Sequence, residues 1–445
     1  MTMAGIPGLH RLRGQGLLQR ALRGSALTMI GFGGQQFIRL VSNLILTRLL
    51  FPEVFGLMAL IMVIIQGLNN FSDMGITPAI LQSRRGTDRD FLDTAFTMQA
   101  IRGVLLWLGC CVLAVPAARF YEAPELVWYL PLAGFTAVFG GVTTTKVESV
   151  NRELALGRLT LLELLASFLS MLITIALALA IGSALALVLG MVLGAVLRPV
   201  LAEWMLPGSR NRLRWDPTAV AELFRFGRWI FPSTIVGFAI SQGDRAILGK
   251  YLNLEQLGIY NIAYFLASFP LLLASAVIWR IIIPVYRELP PDQSRANFLR
   301  LRKLRMALTG SFVGLIAVAA MFGPWLVGVL YDARYADAGR LVPMIALATL
   351  PQVVLLGYDQ VALAAGNSRV FFLVTATRAV LFVALFWLGV HVAGIGGGLA
   401  GQATATLLAY PAIIAVARRF GAWDPLHDGI FAALGLGLAA LAFLP

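Results

Sequence analysis

The sequence is poor in the residues that cross-linking and catalysis use. Its two cysteines, Cys110 and Cys111, are neighbours, so neither readily bridges the other and no disulfide framework follows. The three histidines, His10, His391 and His427, fall in unrelated places, and no His, Cys or carboxylate cluster has metal-ligand spacing. A metal centre or other cofactor is therefore not expected. Charged residues make up only 13% of the chain, and lysine occurs three times, at Lys146, Lys250 and Lys303. The longest hydrophilic connections, 207–217 and 289–305, are too short to hold a folded catalytic domain. No nucleophile-and-base constellation is present, so the reading is of a protein that is not an enzyme.

Apolar residues are abundant instead, at 59% of the chain, with a mean hydropathy of +0.82. No water-soluble domain of 445 residues hides that much apolar surface. Apolar segments long enough to cross a bilayer, which takes about 20 helical residues, recur along the whole chain. The expected fold is an all-α polytopic membrane protein with helices near 25–50, 54–82, 91–115, 126–149, 158–181, 184–206, 220–249, 255–286, 304–330, 341–366, 369–391 and 395–417. An apolar stretch at 428–445 is a short thirteenth candidate, marginal in length. This gives a segment 1–24, a six-helix bundle 25–206, a linker 207–219, a second bundle 220–420 and a C-terminal segment 421–445.

Short cytoplasmic loops retain Lys and Arg, so cation placement orients the chain. The segment 1–24 and every second gap between spans hold 26 of the 35 Lys and Arg. The N-terminus and linker are thus expected on the cytoplasmic side. Because the excess charge of +13 is spread over one membrane face, it points to anionic membrane lipids and not to nucleic acid.

Two stretches repeat one pattern. Ile45–Met58 reads ILTRLLFPEVFGLM and Ile247–Tyr260 reads ILGKYLNLEQLGIY, aligning Arg48 with Lys250, Glu53 with Glu255 and Gly56 with Gly258. Six expected helices separate the copies, so both have the same orientation and the duplication is parallel. Two six-helix bundles around a central cleft follow from this. Prolines at 78, 131, 232, 270, 284, 351 and 411 are expected to permit bending, and the pairs Gly190/Gly194 and Gly397/Gly401 to permit close helix contact.

The helices carry polar stripes. Gln66, Asn69, Asn70, Asp73 and Thr77 follow helical spacing in the second. Gln35, Gln36, Arg39, Ser42, Asn43 and Thr47 do so in the first, and Asn261, Tyr264, Ser268, Ser275 and Trp279 in the eighth. A single polar side chain of this kind is ordinarily interhelical glue, contributing on the order of 0.6 kcal/mol. A run of five that includes an ionisable Asp73 fits a wet or substrate-filled cleft better. Arg39, Arg102, Arg378, Asp73 and Asp359 lie inside spans, with Asp244 and Arg245 nearer a mouth; each needs a partner or a polar cavity.

At these residues a family resemblance emerges. Phe55–Gln82, FGLMALIMVIIQGLNNFSDMGITPAILQ, resembles the second-helix signature of bacterial polysaccharide exporters, and Asp244–Tyr264, DRAILGKYLNLEQLGIYNIAY, resembles its second-half counterpart. These are the oligosaccharide flippases of the multidrug, oligosaccharidyl-lipid and polysaccharide export superfamily. The resemblance implies transfer of an undecaprenyl-pyrophosphate-linked oligosaccharide to the outer leaflet of the bacterial inner membrane, with a polysaccharide polymerase and chain-length protein as candidate partners. Within it, Arg39, Arg102 and Arg378 are candidates for the pyrophosphate or for gating, and Gln66, Asn69 and Asn70 for sugar hydroxyls. Asp73, Asp359, Asp244 and Arg245 are candidates for coupling or gating. The alternatives are a lipid II flippase or a cation-coupled multidrug extruder of the same superfamily and, from another class, a membrane polymerase or ligase.

Overall fold

The computed structural model describes residues 17–443 apart from 154, 228, 229 and 359, and no strand occurs among them. The helices in chain order are α1 Leu17–Leu49, α2 Pro52–Phe71, α3 Ile76–Gln82, α4 Arg89–Phe120, α5 Leu126–Gly141, α6 Lys146–Arg152, α7 Leu156–Ile181, α8 Ala184–Met205 and α9 Pro217–Gly227. There follow α10 Phe231–Tyr251, α11 Leu254–Ala267, α12 Phe269–Glu288, α13 Arg295–Leu330, α14 Ala338–Leu355, α15 Gln360–Ala364, α16 Ser368–Arg419 and α17 Pro425–Phe443.

Every expected segment lies on a helix or helix pair, but five are broken where one continuous helix was expected. Residues 54–82 divide at 72–75, where Gly75 takes the left-handed conformation at φ 59°. Residues 126–149 divide into α5 and α6, bent by 54°. Residues 220–249 become α9 and α10, residues 255–286 become α11 and α12, and residues 341–366 become α14 and α15. Proline does not act as a mid-helix hinge at several of these points. Pro232 and Pro270 stand in the first turn of α10 and α12, and Pro78 in that of α3, where the missing N–H costs nothing.

Among the described residues nine helices are long and apolar enough to cross a bilayer, and the bent pair α5–α6 makes a tenth. This is fewer than the twelve expected because α1 and α10 are not apolar enough to be counted and α16 counts once although its 52 residues suffice for two crossings, while α17 adds one beyond the twelve. Within α16 the helical backbone fails at Ala393 and Gly394, where the sequence reading placed the gap between two spans. Its two arms meet at glycine, since a Cβ on Gly389 would lie 2.0 Å from the Gly397 carbonyl oxygen. In the marginal 421–445 stretch, Pro425–Ala442 meets the length and apolarity required of a span.

The chain divides into two compact units, Met1–Leu50 with Ile64–Thr234, and Phe51–Val63 with Ile235–Pro445. In the first, α4 packs on α5, α7 on α8 and α1 on α7. Lipid is as apolar as leucine, so close approach at small residues does the work that burial does in water. A Cβ on Gly190 would meet Thr174 at 2.4 Å, and one on Gly194 would meet Ser170 at 2.2 Å. In the second unit α13 packs on α14, and α14 also touches α11, α16 and α17.

Candidate functional site

The break after α2 organises the polar residues of the first unit. Ser72 turns its hydroxyl back onto the Leu68 carbonyl at 2.8 Å, and the Asp73 carboxylate accepts the Gly75 N–H at 2.9 Å. These local bonds compete with the helical ladder and end it. The stripe is therefore shorter than its spacing suggests. Gln66, Asn69 and Asn70 remain on α2, Asp73 lies in the break, and Thr77 on α3 donates to Glu148 at 3.2 Å.

A helix that stops exposes its last carbonyls, which attract donors and positive charge. Arg102 on α4 fills this role. Its Nη2 donates to the Asn69 carbonyl at 2.7 Å and its Nε to the Ser72 hydroxyl at 3.0 Å. The Thr234 hydroxyl donates to the next carbonyl, Asn70, at 2.7 Å. The third guanidinium nitrogen of Arg102, Nη1, makes no hydrogen bond to the described residues, and Arg102 lines a cavity of about 220 Å³. Asn69, Gln99, Thr136 and Gly140 also line it.

Glycine makes this space. A Cβ on Gly103 would lie 2.5 Å from the Ala137 carbonyl oxygen, and one on Gly141 would lie 2.5 Å from that of Gln99, so α4 and α5 touch backbone to backbone. Gly140, by contrast, meets nothing within 4 Å on its open side. The result is a niche with a cation, two amides and a hydroxyl, fitted chemically to phosphate or carboxylate oxygens and to sugar hydroxyls.

The other expected residues lie elsewhere. Arg39 is exposed on α1 and donates to Gln36 at 3.3 Å. Arg378 is half-buried on α16 in the second unit. Gln66 donates to Asn70 at 3.1 Å, just beyond the niche lining. Asp244 and Arg245 join α10 to α11. The Asp244 carboxylate accepts the Tyr260 hydroxyl at 2.8 Å, and Arg245 donates to Asn261 at 3.0 Å while its guanidinium lies 4.2 Å from the Tyr264 ring centre. Asp359 lies outside the described residues.

Two polar assemblies were not anticipated. In the first unit the 207–217 connection is laced to the helix ends. Asn211 bridges Asp93 and Thr145, Lys146 pairs with Glu203 at 2.8 Å, and Arg85 joins Asp88 and Asp216 at 3.0 and 2.9 Å. The Arg85 guanidinium, helped by Thr218, holds the Asp216 carboxyl down to about 2. In the second unit His427 is fully buried between Asp428 and Thr309, each at 3.0 Å. Since a carboxylate only accepts, Nδ1 carries a proton, and in the neutral ring Nε2 is left to accept from the threonine hydroxyl. The one sequence signal for this assembly is the Asp-Pro-Leu-His-Asp run at the head of an otherwise apolar helix.

The model of a family described as "Polysaccharide biosynthesis protein" matches residues 45–340, well over half of the chain. The chain belongs to that family. It is 23% identical over 317 residues to the teichuronic acid biosynthesis protein TuaB of Bacillus subtilis, covering 67% of this chain and 62% of that one. It is 22% identical to the succinoglycan biosynthesis transport protein ExoT of Rhizobium meliloti, covering 73% of this chain and 64% of that one. To the lipopolysaccharide biosynthesis protein WzxC of Escherichia coli it is 22% identical, covering 69% and 62%. The chain thus spans less than two thirds of the length of these relatives. Among solved structures, the lipid II flippase MurJ in an inward closed conformation matches with a TM-score of 0.69 at 13% identity over 94% of this chain and 92% of that one. An inward-facing multidrug resistance MATE family transporter matches with 0.60 at 15% identity over 91% and 95%. At such identities the likeness is one of fold.

Proposed function

We propose that the protein is a flippase that carries undecaprenyl-pyrophosphate-linked oligosaccharide repeat units of O-antigen, capsule or exopolysaccharide from the cytoplasmic to the periplasmic leaflet of the bacterial inner membrane, by alternating access. The cation-rich side and the N-terminus face the cytoplasm. The observation that carries this reading is the Arg102 niche at the broken end of α2, in a chain of the polysaccharide biosynthesis family.

Sugar hydroxyls moved unpaired through hydrocarbon cost several kcal/mol each. Amides on Gln66, Asn69, Asn70 and Gln99 offer donors and acceptors in place of water, while Arg102 offers a charged donor to phosphate. Arg39 and Arg378 are the further cations of the path, and Asp73, Asp359, Asp244 and Arg245 take gating or coupling roles. A polymerase and a chain-length protein consume the product on the far side.

The deciding experiment is leaflet-resolved detection of the lipid-linked intermediate in cells lacking the protein. Accumulation on the cytoplasmic face is the expected result. Unpolymerised units already on the outer face would replace the flippase reading with that of a polymerase or ligase.

A further inference from the structure

We propose that the second unit holds one anionic phospholipid by its headgroup, at the foot of α13. A pocket of about 330 Å³ opens there, lined by Pro291, Arg295, Phe298, Leu299, Arg302 and Gly421. The site is separate from the Arg102 niche and does not depend on what the protein transports.

Three observations select the ligand. The first is charge. Arg302 gives two of its nitrogens to both oxygens of the nearly buried Asp424, so that pair is close to neutral. Arg295 is exposed and makes no ion pair to a described residue, and exposed Arg300 and Lys303 follow further along the helix. Against these stands the exposed Asp292, beside Pro291 and packed on Gly421, so the pocket mouth keeps a net positive charge, suited to one phosphodiester.

The second is length. At 36 residues α13 is about 54 Å long, while the hydrocarbon layer is about 30 Å thick. Its first turns consequently stand at headgroup depth.

The third is apolar surface. Leu315, Val318, Phe322, Trp325 and Val329 are exposed at spacings of three and four, so an apolar stripe runs up the C-terminal half of α13. Leu299, which lines the pocket, is exposed near the start of the helix on another face. A headgroup on Arg295 thus sets Phe298 and Leu299 against its glycerol and the start of its acyl chains. A zwitterionic lipid would set its own ammonium against Arg295, Arg300 and Lys303, which disfavours it.

The test uses the full-length protein reconstituted in phosphatidylcholine with or without phosphatidylglycerol, read by native mass spectrometry of retained lipid and by thermal unfolding. Wild type is expected to retain one phosphatidylglycerol and to unfold at higher temperature with it. Arg295→Gln should weaken retention about fivefold, the worth of one surface cation toward an anionic lipid. Arg295→Lys should keep most of it, and Arg369→Gln, an exposed cation outside the pocket, all of it. Equal retention by R295Q and R369Q, or no preference for phosphatidylglycerol, overturns the proposal. The same stabilisation by inorganic pyrophosphate in pure phosphatidylcholine would make the pocket a free-phosphate site and also overturn it.

Discussion

Gly56 of α2 and Gly258 of α11 lie back to back. A Cβ on Gly56 would come within 1.9 Å of the Leu254 carbonyl oxygen, and one on Gly258 within 1.9 Å of that of Pro52. These are the glycines of the two repeated Glu-x-x-Gly motifs, so the repeat that the sequence displays is the two sides of one helix crossing. Both tight contacts are to backbone, and no rotamer change relieves them. Gly56→Ala and Gly258→Ala should each lower stability by about 1–3 kcal/mol, as overpacking does. The double variant should cost little more than either single, because helices already forced apart accept the second methyl. Thermal unfolding of the three variants checks this, and simple additivity would mean that the glycines act independently.

Arg102 is the cation of the niche and also caps the broken end of α2, so its replacement is read against the amount of protein in the membrane. Arg102→Ala should reduce polysaccharide export about tenfold or more, the scale of one charge-assisted hydrogen bond, with the protein still present in the membrane. Arg102→Lys should fall between, since an ammonium cannot serve the Asn69 carbonyl, Ser72 and a ligand in the same planar fork. Export by R102A at the wild-type level would remove this residue from the transport path.

How much of this was legible in the sequence depended on how far apart the interacting residues stand. The membrane class follows from composition and from the length of the apolar segments, whereas the contact of Arg102 with the Asn69 carbonyl joins residues 33 apart on different helices and has no local signal. The break at Ser72–Gly75 has none either, because five polar residues keep the same sequence spacing whether or not the backbone between them turns. Asp73 read as one member of a stripe, whereas its carboxylate receives the Gly75 N–H. His427 read as isolated because its threonine partner lies 118 residues away. Asn211 read as part of a loose linker for the same reason, its partner Asp93 being 118 residues earlier.

The clasp at Asp216 makes a pH prediction. Its carboxyl is held at about 2, below the usual value near 3.9, by Arg85 and Thr218. A depressed carboxyl contributes stability above its unfolded value and loses it as pH falls through the folded one. Asp216→Asn should therefore lower the unfolding temperature at neutral pH, and the gap from wild type should close as pH falls from about 4 toward about 2. The pair is half-buried and still open to solvent, so the gap should also shrink in high salt. A gap that is constant with pH would show that the carboxylate is not what holds the connection.

Asp428 anchors α17 to the rest of its unit. Its two oxygens accept from the Tyr358 hydroxyl at 2.7 Å, the Tyr410 hydroxyl at 2.8 Å and the His427 ring at 3.0 Å, all in a largely buried setting. Asp428→Ala leaves the Tyr410 hydroxyl and the His427 ring N–H unmet, while the Tyr358 hydroxyl keeps the Asp424 carbonyl at 3.3 Å, and a buried unmet donor costs about 1–3 kcal/mol. The loss should total about 2 kcal/mol or more and expose the connection at 420–424 to protease. Adding Tyr410→Phe to D428A removes one stranded hydroxyl and should recover part of the loss, whereas Y410F alone is destabilising. If D428A unfolds at the wild-type temperature and resists protease equally, α17 is held by its apolar contacts and the buried polar assembly is dispensable for docking it.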